Sequence, residues 1–424
     1  MLEILEIEKG LHYYSFFDEK FKFNNITINL IVELNEKDAA LNFVLSSVLR
    51  QSSNRYKTNI ELGEKLRSLY GADFFCDVKK AGNRQIISFG IEVLDDEFSL
   101  ENEELLKEAV EFLEDMIFNP KIDGNRFYKE DVEIEKNDII NLVKSTYSDK
   151  KQYALKEAMK TLFEDDVFCV EKFGSLDALK MVDEEALFRA YQNLLRNSEM
   201  LVSFVGHKEK KGILDRIFNR FSNLKKEGFS EIKQKNQYFF ESLKEKEEKD
   251  KLIQAKLVVA FSKKEGFCDE EEEIAIEVMN CLFGGAPTSL LFTNVREKES
   301  LCYYCRSFYN RYYGVIFVES GVEKRNVKKA YEKIVLQLER IEKGDFEEED
   351  LKKVKNTLEG LYERVFDNEE RISSYVLSSF LKNENFLPDE RFSKVEKITK
   401  EAVVEVAKKF TVSLKYVLEG EDEE

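Results

Sequence analysis

A chain of 424 residues with 43% hydrophobic and 35% charged residues is long enough for two domains and too apolar to stay disordered. Acidic residues outnumber basic ones 84 to 66, a formal net charge of −18, which argues against nucleic acid as a partner. No apolar run approaches the roughly 20 residues that span a bilayer, and six scattered cysteines suggest reduced thiols rather than a disulfide framework.

The opening MLEILEIEKG has neither a basic n-region nor an apolar h-region, so the expectation is no signal peptide and a cytoplasmic location. HYYSFF reads as the first strand, with His12 packed rather than reactive. Asn29 to Leu34 predicts a strand and Asp38 to Gln51 a helix, with Asp38 as N-cap and Leu41, Val44, Leu45, Val48 and Leu49 as its apolar stripe. Ile60 to Tyr70 predicts a second helix, followed by strand-like FFCDVKK, a Gly-Asn turn and the strand RQIISFGIEVL. A long amphipathic helix carrying Leu105, Val110, Leu113, Met116 and Ile117 ends at Phe118-Asn119-Pro120. His207 follows LVSFVG at a strand end, on a glycine turn expected to face solvent, and takes no role.

The second half repeats this order. LIQAKLVVAFS predicts a strand, Glu270 to Leu282 a helix and Ser289 to Lys298 another; LCYYCRSFY, a turn at Asn310-Arg311, YYGVIFVESGV and a long helix from Asn326 to Ile341 follow. Phe74-Phe75-Cys76 stands where Tyr303-Tyr304-Cys305 stands in the second half. A repeat this long predicts two homologous α+β domains, each a mostly antiparallel sheet with helices packed on one face. The expected division is 1–227, a charged linker at 228–250 anchored by Phe239 and Phe240, and 251–424, with a frayed acidic tail from Glu421 to Glu424. Cys302 and Cys305 form a CxxC, but residues three apart in a strand point to opposite faces, so two small packed residues are expected there.

Residues 288–304 read Thr-Ser-Leu-Leu-Phe-Thr-Asn-Val-Arg-Glu-Lys-Glu-Ser-Leu-Cys-Tyr-Tyr, and Gly284-Gly285 precedes them. This resembles the C-terminal half of the pitrilysin/insulinase (inverzincin) zinc peptidases, with the pattern S-x-L-F-x-x-x-R-E-K-x-x-L-x-Y. The resemblance is to their small two-domain branch, that of the mitochondrial processing peptidase subunits. Leu162-Phe163 through Phe173-Gly174 adds a weaker agreement that lacks the family's proline.

In that family, two histidines of a helical H-x-x-E-H hold zinc and the glutamate activates the metal-bound water. The positions aligned with them here are Asn42, Ser46 and Leu45, and a leucine cannot take a proton. The third ligand, a downstream glutamate, aligns with Asn141 or Leu142, and a shifted register would place Glu135 there. His12 and His207 are the only histidines, so no second such motif exists. This chain is therefore expected to hold no cofactor and not to be catalytic by itself.

What the resemblance implies for Arg296 and Tyr303 is a pair acting in trans. The tyrosine hydroxyl would donate to the developing oxyanion, and the arginine would bind substrate backbone or support the tyrosine. The expected partner is a zinc-bearing subunit with H-x-x-E-H, the expected ligand a peptide, and the isolated chain is left open as a homodimer. Peptide binding in the family extends an exposed edge strand, for which 86–93 (IISFGIEV) is the candidate. The alternative is a peptide- or protein-binding accessory factor in maturation of a protein or peptide product.

Overall fold

Asn25, Thr27 and Asn29 alternate with Ile26, Ile28 and Leu30 along one strand, and both sets are buried, so the sheet they build must be covered on both faces. The structure is a computed structural model describing residues 2–164, 166–224, 232, 240, 242–264 and 269–420. Its strands are β1 (Leu5–Glu8), β2 (Leu11–Phe17), β3 (Phe23–Glu33), β4 (Asp73–Ala81), β5 (Arg84–Leu94), β6 (Ile122–Asp123), β7 (Arg126–Phe127), β8 (Glu199–Gly206), β9 (Lys244–Asp250), β10 (Ala255–Lys263), β11 (Cys302–Asn310), β12 (Val315–Val322) and β13 (Phe410–Gly420). The helices are α1 (Glu36–Gln51), α2 (Asn59–Ser68), α3 (Leu105–Phe118), α4 (Lys129–Thr146), α5 (Lys150–Phe163), α6 (Leu176–Lys180), α7 (Glu184–Asn197), α8 (Asp215–Leu224), α9 (Glu270–Asn280), α10 (Val327–Glu342), α11 (Glu348–Glu363), α12 (Glu369–Leu381), α13 (Pro388–Val395) and α14 (Lys400–Ala407).

Two compact units result. The first comprises Met1–Val143, Val170–Gln234 and Arg364–Phe386; the second comprises Lys144–Cys169, Lys235–Glu363 and Leu387–Glu424. The expected division into continuous halves therefore does not describe the packing. Residues 144–169 belong with the second unit, and 364–386 with the first.

In the first unit the strand order is β1-β2-β8-β3-β5-β4, antiparallel except for the β2/β8 pair. The Ile26, Ile28 and Leu30 face lies under α1 and α3, where Phe74 meets Phe112 with ring centroids 5.2 Å apart. The polar face lies under α12, whose Ser373 hydroxyl donates to Asn25 Oδ1 at 3.0 Å. Thus one helix covers a face made of amides and hydroxyls, and it reaches them with a serine.

In the second unit the order is β11-β12-β10-β13-β9, antiparallel except for β13/β9. Phe261 packs on Phe283 on one face, and Ala154 and Ala158 of α5 pack with Val258, Ala260, Leu414 and Tyr416 on the other. The two sheets correspond strand for strand, β4-β5-β3-β8-β2 matching β11-β12-β10-β13-β9.

The correspondence extends to single residues. Phe75 on β4 lies opposite Gly90 on β5, and Tyr304 on β11 lies opposite Gly321 on β12. A Cβ on Gly90 would stand 2.2 Å from Phe75 Cζ, and one on Gly321 would stand 2.5 Å from Tyr304 Cε1. In both units an edge-strand aromatic ring lies over a glycine that no other residue can replace without displacement.

Three expectations change. β5 is bonded to β3 on one side and β4 on the other, so 86–93 is interior and the free edge belongs to β4. The α1 N-cap is Asn35, whose Oδ1 accepts from the Asp38 backbone N–H at 2.9 Å. The charged segment ends in a strand: β9 reads KEKEEKD and pairs in parallel with β13 at the sheet edge, where alternating charges discourage further strand addition.

Phe240 packs on Phe163 with centroids 5.6 Å apart. The expectations for Phe239, for 228–231 and 233–238, and for the tail 421–424 lie outside the described residues. Among the described residues, no helix is long and apolar enough to cross a membrane.

Candidate functional site

The three zinc-motif positions share α1, and each is committed to internal packing. Asn42 is buried, and its Nδ2 donates to Gln85 Oε1 at 2.9 Å. Gln85 in turn donates from Nε2 to the Ala39 carbonyl at 3.0 Å and the Lys172 carbonyl at 2.7 Å. The Ser46 hydroxyl donates back to the Phe43 carbonyl at 2.8 Å, and Leu45 is fully buried in the core. An amide and a hydroxyl hold the positions of the two histidines, and Gln85 ties α1 to the start of β5.

Asn141 is exposed on α4, as is Leu142. Glu135, on the same helix, has its carboxyl raised by burial and by Asp138, against the opposing charge of Arg50 and a hydrogen bond from Gln51. Neutral amide and hydroxyl oxygens are poor ligands for Zn²⁺, which takes thiolate, imidazole and carboxylate donors. Among the described residues no group of three or more His, Cys, Asp or Glu side chains converges on a point. These residues do not fit a zinc ion.

The histidines have structural surroundings. The His12 ring packs tilted against Phe380 with centroids 4.7 Å apart, and its Nε2 is 3.4 Å from Glu199 Oε1. His207 is buried rather than facing solvent: Nδ1 is 2.8 Å from the Phe21 carbonyl and Nε2 is 2.9 Å from Glu97 Oε2. The ring lies under the 95–98 turn, where Glu97 and Phe98 contact it at the end of β8.

The second half of the site has a different character. Cys281–Gly285 makes one π-helical turn closed by the Ala286 N–H donating to the Cys281 carbonyl at 3.1 Å. A second π-helical run, Leu291–Lys298, carries Arg296. Such wide turns are rare and concentrate at functional sites. The Arg296 guanidinium lies over the Phe292 ring at 4.7 Å, with Nε 3.7 Å from Glu297 Oε1, and its side chain is 41% exposed. Ser300 follows in the left-handed region at φ 50°, turning the chain into β11.

The β11/β12 register jumps between Cys302, opposite Val322, and Tyr304, opposite Gly321. Tyr303 is therefore the extra residue of a β-bulge, and it stands 58% exposed. Arg296 and Tyr303 both reach solvent from the segment the sequence pointed to. The bulge also corrects the reading of the CxxC. With one extra residue between them, Cys302 and Cys305 turn to the same inner face, and both are buried.

Sequence reasoning did not find Gln85, the π-helical backbone or the bulge. The one available signal was the run Cys302-Tyr303-Tyr304-Cys305-Arg306, which does not keep strict alternation.

A family model described as the peptidase M16 inactive domain matches residues 182–358. A second, the inverse autotransporter β-domain, matches 8–106, but that stretch folds here as open-sheet strands with α1 and α2 between them. The chain is 26% identical over 410 residues to the probable inactive metalloprotease YmfF of Bacillus subtilis (strain 168), covering 95% of this chain and 94% of that protein. The crystal structure of a conserved protein from Enterococcus faecalis V583 matches with a TM-score of 0.89 and 27% identity, over 100% of this chain and 99% of that one. The peptidase M16 inactive domain from Pseudomonas fluorescens matches at 0.78 and 13% identity, over 100% and 99%. These similarities fit an inactive member of the M16 (pitrilysin/insulinase) peptidases, with Asn42, Leu45 and Ser46 at the zinc-motif positions.

Proposed function

We propose that this chain is the zinc-free subunit of a two-chain M16 peptidase, acting in the cytoplasm and binding peptide substrate together with a zinc-bearing partner that carries H-x-x-E-H. The observation that carries the reading is a contrast within one chain. The positions of the lost motif are sealed into the core, while Arg296 and Tyr303 remain presented to solvent by a π-helical run and a bulge. The bulge leaves the Tyr303 side chain out in water, and such devices re-aim side chains beside active sites.

In this reading the Tyr303 hydroxyl donates to the oxyanion that develops on the scissile carbonyl, and Arg296 holds the substrate backbone. A peptide adding to the exposed β4 edge would contribute main-chain hydrogen bonds. Removing one oxyanion donor costs on the order of a hundredfold or more in turnover. The test is Tyr303→Phe in a reconstituted pair. A loss of that size in kcat with KM nearly unchanged supports the reading; an unchanged kcat refutes it and leaves an accessory binding protein.

A further inference from the structure

We propose that Cys302 and Cys305 are a modification site, a dithiol that hydrogen peroxide oxidises to an intramolecular disulfide across the Tyr303 bulge. β11 spends four residues, Cys302 to Cys305, where β12 spends three, Ser320 to Val322. The two cysteines thus lie opposite residues two apart, Val322 and Ser320, and share a face. Their Cα atoms are separated by roughly two strand steps, about 6–7 Å, near the upper limit for a disulfide. A regular strand would have turned them to opposite faces. The bulge is what makes the pair.

The surroundings divide the labour between the two sulfurs. Cys305 acts as a hydrogen-bonding neighbour of the Cys302 sulfur with Ser320 beside both; as a thiol Cys302 points at the Val295 carbonyl, 4.0 Å away, and the Ser320 hydroxyl donates to the Tyr304 carbonyl at 3.0 Å. The Cys305 bond, with Ser320 and the Arg296 charge adding to it, outweighs burial and lowers the Cys302 thiol to about 7, while Cys305 is held protonated. Elsewhere burial raises the Cys76 thiol and pushes Cys281 up to about 12, so those two stay thiols. Thiolate character governs attack on peroxide, and Cys302, 8% exposed on the edge strand β11, is the less buried of the two cysteines.

The chemistry balances in two steps. An electron pair of the Cys302 thiolate attacks one peroxide oxygen, the O–O bond breaks, and the departing hydroxide takes a proton to leave as water, giving Cys302 sulfenic acid. The Cys305 sulfur then attacks the Cys302 sulfur and loses its proton, the S–O bond breaks, and a second water leaves. Two thiols are oxidised and one peroxide is reduced. A bridge whose ends lie near the upper limit of separation is of the more easily reduced kind.

The test uses the full-length reduced protein and a small molar excess of hydrogen peroxide, followed by alkylation and peptide mapping. The tryptic peptide 299–306 contains both cysteines. The expected product is that peptide lighter by two hydrogens, unalkylated, and restored by dithiothreitol, while the Cys76 and Cys281 peptides remain alkylated after unfolding. Cys302 ending as sulfinic acid beside a free Cys305, or neither residue reacting, overturns the proposal. Cys305→Ser, judged folded by circular dichroism, should stop at a Cys302 sulfenic acid that dimedone labels; a folded variant whose Cys302 takes no label also overturns it. None of these readouts depends on peptidase activity.

Discussion

Writing H-x-x-E-H back onto α1 with Asn42→His, Leu45→Glu and Ser46→His should not give this chain a zinc site, and it should nearly unfold the first unit. Leu45 is fully buried, so losing its side chain forfeits about 2 kcal/mol of transfer free energy. A carboxyl group in the same place, even protonated, costs about 1–3 kcal/mol more unless it finds a partner. Asn42→His removes the donor to Gln85 Oε1, whose residue is also buried, for roughly another 1–3 kcal/mol. The positions are one helical turn apart and will not add cleanly. Even the lowest sum, about 4 kcal/mol, approaches the 5–15 kcal/mol typical of a whole domain. The assay is urea unfolding followed by circular dichroism, with zinc measured by mass spectrometry on the same sample. The midpoint should fall by at least about 1 M, without stoichiometric zinc. A wild-type midpoint together with one zinc per chain would show that the α1 positions are not committed to packing, and would refute the reasoning.

Other predictions follow from single contacts. Gly321→Ala forces a Cβ into the Tyr304 ring and should destabilise the second unit by about 1–3 kcal/mol, while Tyr304→Ala in the same chain should relieve the clash; an unaltered midpoint in Gly321→Ala would contradict the close approach. Ser300→Gly removes a left-handed non-glycine residue and should raise the midpoint by the equivalent of about 0.5–1 kcal/mol, where a fall would mean that the hydroxyl or Cβ is needed. Glu92 is raised by burial and then by the charges of Glu369, Asp73 and Glu370. Its folded form therefore binds a proton more tightly than the unfolded chain. That contribution to stability is present below the ordinary carboxylate range near 4.3 and is lost as pH rises through the raised value. Glu92→Gln should be more stable than wild type at pH 7 and equal to it near pH 4, and parallel pH profiles would refute the assignment.

Periodicity carried much of the fold. RQIISFGIEVL became β5 at its predicted bounds, and the amphipathic stripe of 105–117 became α3. The repeat was legible down to Phe75 and Tyr304, because an edge aromatic over a glycine leaves the same mark twice. What alternation reports is which side chains point inward, not which strands lie side by side. For that reason the interior place of β5, a candidate edge by its sequence, is not legible there, and neither is the assignment of α5 and α12 to opposite units. A bulge defeats alternation outright, which is how Cys302 and Cys305 came to be read as facing apart. The loss of the zinc-motif donors is legible because it depends on side-chain chemistry alone, and Asn42, Leu45 and Ser46 state theirs in the sequence. Their present work, through Gln85 43 residues along the chain, is a tertiary fact.

The most direct test of the central claim is to purify the tagged protein from its native lysate and identify by mass spectrometry what accompanies it at equal stoichiometry. A companion of comparable length carrying H-x-x-E-H, with zinc bound to the pair, is the predicted result. Recovery of this chain alone, or with a protein lacking that motif, would contradict a shared active site and return Arg296 and Tyr303 to structural roles.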